Sequence, residues 1–422
     1  MTSTPEQHAE NWDLRHEDFN DAELLYDVYA AMRRRRTPVH TDSPFLAPTP
    51  GGAWVVVDYD DCYRIAQTWQ DFSSNPLPGM APEFIGNLVV VLDPPRQQQL
   101  RKVLNPYFSP ARMKALRPQI EAETDTLIDE FIEDGVGDLA RVAWRQPGTV
   151  LFKHLLGMSV DEVPRCFELT DTALNGRAEQ DRATAWADLY QHIHDVISAR
   201  TSQPARDDMI DVLLHAEIDG RPLPFTDIVG NAMLLVQAGL ETTANATSFA
   251  FHHLATHPGD RDRLVADPML VPRAVEEFIR FAGSIHGLNR TVCRDVEVSG
   301  HRFAPGETVI INYAAANRDP DVFPDADRCV LDRRDNRHLG FGAGVHRCLG
   351  SNLARLEFQI SLERVLARVP DFHLRPGTTP EFHGNSITRG FRSIPIAFSP
   401  GPVGVSTVTD SQESTDREGH PG

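Results

Sequence analysis

The stretch TDIVGNAMLLVQAGLETTANATSFAFHHLATHP, from Thr226 to Pro258, constrains the fold more than any other. It has no interior proline, opens on a plausible capping threonine and closes on a proline that stops a helix. About thirty residues at ~1.5 Å each make a rod of roughly 45 Å, enough to cross a whole molecule of this size. The rod is apolar nearly all round, so it belongs in the middle, with other helices packed on it. Its centre nevertheless holds Gln237, Gly239, Glu241, Thr242, Thr243 and Asn245. Burying a carboxylate and hydroxyls is costly unless each finds a partner. Two readings stand: hydrogen-bonded core polars, or a polar gap kept for chemistry.

A chain of 422 residues exceeds what one hydrophobic core fills, so two lobes or a core built around a cofactor is expected. With 41 Lys+Arg against 60 Asp+Glu the formal charge is −19, which argues against broad nucleic-acid or anionic-membrane binding. Five cysteines with no close pair are not a disulfide framework and suit a reducing compartment. The first residues lack a basic and apolar leader, and no run of ~18 apolar residues occurs anywhere. A cytoplasmic protein without membrane insertion is the expectation.

Along the chain, residues 1–19 read as a flexible segment, 20–400 as a single catalytic domain and 401–422 as a disordered tail. Strand patterns fall at about 46–58 (either side of Pro50-Gly51-Gly52), 290–315 and 380–398, and helical ones at about 90–282 and 349–368. The block Arg33–Arg36 closes a helical pattern, where cations suit the dipole; it reads as a solvated helix end, with a partner-docking site as second reading.

The most informative stretch chemically is HLGFGAGVHRCLGSNLARLEF, residues 338–358. Gly340, Gly342 and Gly344 precede Cys348 and Gly350 follows it, before a helical pattern opens at about Leu349. Glycines this dense allow tight bends and close approach. A cysteine at a helix start is expected to favour its thiolate, which can act as nucleophile or metal ligand. No CxxC accompanies it, which argues against zinc, whereas one thiolate suits a haem iron.

Phe341-Gly342-x-Gly344-x-His346-x-Cys348-x-Gly350 resembles the haem-binding signature of the cytochrome P450 superfamily, here its soluble bacterial members. Further motifs follow the family's order. Ala238-Gly239-Leu240-Glu241-Thr242-Thr243 resembles its oxygen-activation segment, and Glu277-x-x-Arg280 its structural ion pair, with Arg333 as third member. Asp93-Pro94-Pro95 and Ala316-Asn317-Arg318-Asp319-Pro320 resemble two connecting segments. The resemblance spans roughly residues 20–400. It implies a mainly α fold with small β-sheets, a triangular prism holding haem between the long central helix and the helix after the cysteine loop.

By that resemblance the activity is monooxygenation with haem b as cofactor and O2 as cosubstrate, and Cys348 is the axial ligand whose thiolate favours O–O cleavage. Phe341 packs beside the sulfur, and N–H groups near Leu349 and Gly350 bond it. Gly342, His346, Gly350 and Ala238 line the haem. Arg101, Arg290 and His338 meet its propionates, with surface ion pairing as the alternative for each arginine. Gln97 stands where many members carry His, so one propionate contact becomes a neutral hydrogen bond. Glu241 and Thr242 handle protons, the Thr242 hydroxyl bonding the carbonyl of Ala238 and bending the helix; the alternative is a kink without a relay.

Helical spacing puts Leu234, Gln237, Ala238 and Glu241 on one face, expected to look onto the haem. Phe84 and Ile85, Ile285 and His286, and Asn385, Ser386 and Ile387 complete the expected substrate pocket. Such a pocket suits a mid-sized, mainly apolar organic molecule, a natural product or terpenoid, with Gln237 and His286 as polar handles. For Gln237 a supporting role behind the pocket wall is equally open. The sequence shows no clustered cysteines and no GxGxxG. Electrons are therefore expected from a ferredoxin and its reductase, with NAD(P)H used only indirectly. The docking patch would be Arg101, Lys102 and Arg347. Atypical oxidation (ring coupling or desaturation) is an alternative on the same fold. A peroxide-driven enzyme and a non-catalytic scaffold or docking partner fit less well, because the Glu241-Thr242 pair and the glycine frame of Cys348 are intact, and a gas sensor fits less well because it would normally bring a signalling domain.

Overall fold

The long apolar pattern folds as one helix, Phe225–Thr256, in a computed structural model that describes residues 3–13, 16–21, 23–42, 51–75, 88–176, 178–384 and 387–404. It starts two residues earlier than the capping threonine suggested. Extended Pro224 precedes it, and the Pro224 carbonyl accepts the Asp227 and Ile228 N–H groups, leaving Thr226 in the first turn.

Two hydrophobic cores share this helix. Ile228 to Leu240 pack with residues of helices Arg96–Leu104, Pro110–Asp129 and Glu179–Arg200. Ala246 to Leu254 pack with helices Leu139–Thr149 and Val271–Ala282 and with strands Gly390–Ser393 and Pro395–Ala397. The polar centre, Glu241 to Asn245, therefore falls at the seam between the two. The helix after the cysteine, Ser351–Arg368, straddles the same seam, with Leu353 and Ile360 in one core and Phe358 and Leu362 in the other.

The strands are short. A five-stranded sheet runs in the order Val39–Thr41, Ala53–Val56, Thr308–Ile311, Leu288–Val292, Phe72–Ser73. Its Ala53–Val56 and Thr308–Ile311 strands are parallel, with Val55 opposite Ile310. Strand Val136–Asp138, inside the region read as helical, pairs with Pro395–Ala397; three residues flanked by helices give too short a pattern to detect. The partner of Ala53–Val56 is Val39–Thr41, whereas residues 43–50, which include the expected partner, lie outside the described residues.

The N-terminal expectation is corrected. Thr4 caps helix Pro5–Glu10 through a capping box with Gln7, and Trp12 and Phe19 are 1% and 0% exposed. Two large aromatic side chains buried in the first twenty residues supply the burial that holds the segment down. The arginine block is corrected in part. Arg33 is buried, donating to the Ala315 carbonyl at 2.5 Å, while Arg34, Arg35 and Arg36 are exposed beside Glu6, Glu10 and Asp321. At the other end, Gly404 N–H still bonds Asp129, and residues 405–422 lie outside the described residues. Among the described residues no helix is long and apolar enough to cross a membrane.

Candidate active site

The cysteine loop is built by backbone that only glycine adopts cheaply. Gly342 and Gly344 both have positive φ, and a Cβ on Gly344 would lie 2.2 Å from the Ala66 carbonyl oxygen. The Cys348 N–H closes the loop on the Phe341 carbonyl at 2.8 Å, and Arg355 lies over the Phe341 ring at 4.3 Å. The Cys348 side chain is accessible, yet so deep that burial dominates its chemistry. Burial pushes its thiol up, against the Gly350 N–H bonded to the sulfur and the cations of Arg101, Arg347 and Arg355. The expectation that the helix start alone favours a thiolate is thus corrected: burial outweighs it. A coordinating metal would deprotonate the thiol outright.

On the central helix, Ala238 is exposed and Leu234, Gln237, Gly239 and Thr242 are half-buried, midway along an element whose residues are mostly buried. The Thr242 hydroxyl donates to the Ala238 carbonyl at 2.9 Å. Glu241 does not share this strip. It is 1% exposed and turned to the last strands, accepting from the Thr388 hydroxyl at 2.9 Å, with Arg392 3.7 Å away. The expected four-residue face is therefore corrected at Glu241: a carboxylate at the seam takes the side offering a donor and a cation. Arg392 continues to Asp171 at 2.8 Å and stacks on Trp144 at 4.2 Å. Burial pushes the Glu241 carboxyl up to about 7, with Arg392 opposing and Asp171 reinforcing the rise.

A second group of side chains converges near Val345 and His346. Gln97, one turn before Arg101 on its helix, is fully buried; its Nε2 donates to the Val345 carbonyl at 2.6 Å and its Oε1 has no partner among the described residues. Arg101 donates to the same carbonyl at 3.4 Å. Burial, with Arg290 and Arg101 nearby, holds His346 down to about 3, so its ring is neutral. Neither arginine has an ion-pair partner among the described residues. A buried Arg290 and a half-buried Arg101 without counter-ions, an accessible deep thiol and the unpartnered His346 Nε2 fit a haem with its anionic propionates, which the second N–H of Gln97 Nε2, not its acceptor Oε1, could also meet. His338 is corrected out of that set in this arrangement. Its Nε2 pairs with Glu276 at 3.0 Å and its Nδ1 accepts the Gly340 N–H, because Glu276 lies within hydrogen-bonding reach. Although burial would raise it, bonds from His338 and Arg355 hold the Glu276 carboxyl down to about 2.

Of the expected pocket, Ile285 and Ile387 are half-buried, Ile285 bridging to Thr388 beside Glu241. His286 is corrected: it is fully buried, with Nδ1 2.6 Å from the Tyr29 hydroxyl, and burial pushes its pKa well down. It ties helix Leu24–Arg34 to the backbone of Ile387 and Ala314 instead of offering a polar handle. Phe84, Ile85, Asn385 and Ser386 lie outside the described residues.

Below the site, Glu277 and Arg280 are both 0% exposed and doubly bonded, at 2.7 and 2.8 Å. Arg333 joins Glu277 at 2.9 Å, and Arg280 also caps the carbonyls of Asn317, Ala326 and Arg328. The sequence reading missed Asp171, Thr388 and Arg392 as partners of Glu241, Glu276 as the partner shared by His338 and Arg355, and the buried Glu357. All but Glu357 act across long sequence separations that no local spacing reveals. Glu357 could have been noticed as an acid nine residues after the cysteine, on the face of its helix shared with Leu353 and Ile360.

Comparison with known proteins agrees with this geometry. A family model described as Cytochrome P450 matches residues 149–387. The chain is 30% identical over 383 residues to a Vitamin D(3) 25-hydroxylase of Pseudonocardia autotrophica, covering 89% of this chain and 94% of that one. It is 31% identical over 390 residues to the cytochrome P450 monooxygenase PikC of Streptomyces venezuelae, covering 89% and 91%. The crystal structure of CYP109E1 from Bacillus megaterium in complex with testosterone superposes with a TM-score of 0.81 at 28% identity, covering 91% of this chain and 99% of that one.

Proposed function

The chain belongs to the cytochrome P450 family of haem-dependent oxidoreductases, and from that premise we propose that it inserts one oxygen atom of O2 into a mid-sized, mainly apolar natural product. Haem b, when bound, supplies the dioxygen chemistry. The chain's own residues supply the rest. Cys348 ligates the iron, Phe341 and the Gly350 N–H shield and tune the sulfur, and Arg101, Arg290 and Gln97 hold the propionates. The strip of Leu234, Gln237 and Ala238, with Ile285 and Ile387, orients an apolar substrate. Thr242 and Glu241 pass protons inward.

The carrying observation is the accessible Cys348 thiol at a depth where cysteines are otherwise enclosed, with Gly350 bonded to its sulfur. The substrate class draws support from the relative named for vitamin D(3) and the similar structure holding testosterone. Electrons would come from a ferredoxin and its reductase. Lys102 and Arg347 are exposed cations near the cysteine, whereas Arg101 turns inward and drops out of the expected patch. Reduction by an acidic ferredoxin should slow as salt rises.

The deciding experiment is the absorption spectrum of the haem-loaded protein, reduced and exposed to carbon monoxide. A strongly red-shifted Soret band that disappears in Cys348→His establishes thiolate ligation. A band typical of a neutral axial ligand in the unaltered protein overturns the assignment.

A further inference from the structure

We propose that His8, His16 and Asp18 bind one divalent transition-metal ion of the zinc class, fastening helix Pro5–Glu10 to the turn Glu17–Asn20. The proposal does not depend on the haem reading.

Among the described residues this is the one group of three Cys, His, Asp or Glu side chains whose ligand atoms all lie within 4.8 Å of one another. Asp18 Oδ2 lies 3.1 Å from His8 Nε2 and 3.6 Å from His16 Nδ1. Zinc bonds to nitrogen and oxygen of about 2.0–2.2 Å give tetrahedral ligand–ligand edges of roughly 3.3–3.5 Å. Two edges are already near that length, and only the His8–His16 edge must shorten.

The local fold explains the convergence. The capping box of Thr4 and Gln7 starts helix Pro5–Glu10 and places His8 in its last turn, 5% exposed, with its ring 5.1 Å from that of the fully buried Phe19. His16 caps the short 3-10 turn Glu17–Asn20, and Asp18 lies in its first turn. The turn thus carries two ligands and the helix the third. The His8 and His16 rings lie edge to face, 4.8 Å between centroids. A simple ion pair needs one imidazole on the carboxylate; a second at the same oxygen would add cation–cation repulsion if both were protonated. Two neutral imidazoles and a carboxylate instead make a donor set for zinc, nickel, cobalt or copper in preference to magnesium or calcium.

One existing contact must yield. The Asp18 N–H donates to His16 Nδ1 at 3.2 Å, the lone pair a metal would take. His16 is 43% and Asp18 26% exposed, so the released N–H can turn to water, and water can also fill the fourth coordination position. The structural consequence follows from the same turn. Asn20 Oδ1 accepts the Gly384 N–H at 3.2 Å, and a Cβ on Gly384 would lie 2.3 Å from the Phe19 carbonyl oxygen. A metal here therefore ties helix Pro5–Glu10 to the turn Glu17–Asn20, which itself meets the end of strand Glu381–His383 at Gly384.

The test uses the full haem-loaded chain without added histidines, freed of loose metal by chelation and titrated with Zn2+ against a chromophoric chelator. One Zn2+ per chain is expected, bound at micromolar free metal or tighter. The affinity should fall by about tenfold or more in both His16→Ala and Asp18→Asn, and weaken in acid as the ligands protonate. The haem spectrum of both variants should be unchanged, which separates lost binding from lost folding. Failure of the unaltered chain to bind Zn2+ at micromolar concentration overturns the proposal. So does binding that persists at full affinity in both variants, which would place the ion elsewhere.

Discussion

Glu241 and Arg392 lie 3.7 Å apart inside the molecule, and the same guanidinium reaches Asp171 at 2.8 Å. One cation is thus shared between a carboxyl that is 1% exposed and one whose side chain is 39% exposed. The chain Glu241–Arg392–Asp171 leads from the central helix, past the Trp144 ring, to the edge of helix Val163–Asn175. Because burial raises the Glu241 pKa toward neutrality, its proton occupancy is sensitive to how firmly Arg392 is held elsewhere.

If Glu241 delivers protons, product formation should decline as pH rises through its pKa. Asp171→Asn removes an anion that raises that pKa and frees Arg392 to face Glu241, so the declining limb should move to lower pH. Arg392→Gln removes the cation and should move it to higher pH. The check is product formed per electron across pH 5–9 with a surrogate ferredoxin and reductase, with pH steps of about half a unit. Coincident profiles for the three proteins would refute the relay.

Thr242→Ala removes the hydroxyl that bonds the Ala238 carbonyl at 2.9 Å, in the accessible strip midway along the central helix. Haem content and the spin-state shift on substrate binding should survive. Product per NAD(P)H consumed should fall about tenfold or more, as proton positioning is lost while electron uptake continues. Unchanged coupling would show that the threonine only shapes the helix.

If the buried Glu277–Arg280–Arg333 network serves the fold and not the chemistry, its loss should appear in assembly. Glu277→Gln leaves two buried guanidinium groups short of an anion, costing about 3–5 kcal/mol. The expected result is a low haem-to-protein absorbance ratio and a lowered Tm. A variant with normal haem content and Tm but altered product would overturn this assignment.

How much of this was legible in the sequence depends on the range over which each residue acts. The central helix, the glycine-framed Cys348 and the i, i+3 pair Glu277–Arg280 are local patterns whose geometry follows from helical spacing or glycine backbone freedom. The Thr242 bond to Ala238 is local as well. The orientation of Glu241 was not legible. It depends on Thr388 and Arg392, about 150 residues away in a strand that packs so closely that a Cβ on Gly390 would lie 2.2 Å from the Asn245 side-chain oxygen. His286 misled for the same reason: its neighbours suggested the pocket, but Tyr29 holds it from helix Leu24–Arg34. The N-terminal segment looked expendable because its content is polar on average, although Trp12 and Phe19 decide its fate.

Glu357, on the helix after the cysteine, is 3% exposed, and its Oε1 has no partner among the described residues. Burial pushes its carboxyl pKa well above the ordinary value. The unfolded chain releases this proton near pH 4.3, about the value for a free glutamate, while the folded protein keeps it to higher pH. Between those two values the folded state binds more protons than the unfolded state, so stability falls as pH rises, by about 1.4 kcal/mol per unit for one group. Glu357→Gln keeps the side-chain shape and removes the titration. Its absolute stability can shift, because an amide brings its own unpartnered donors, but the slope is the diagnostic. Urea unfolding of the haem-loaded proteins, followed upward in pH from the free-glutamate value, should show a shallower decline for the variant. Parallel declines would mean that Glu357 is ionised in the folded protein, and that an anion at this depth is stabilised by a contact beyond those described.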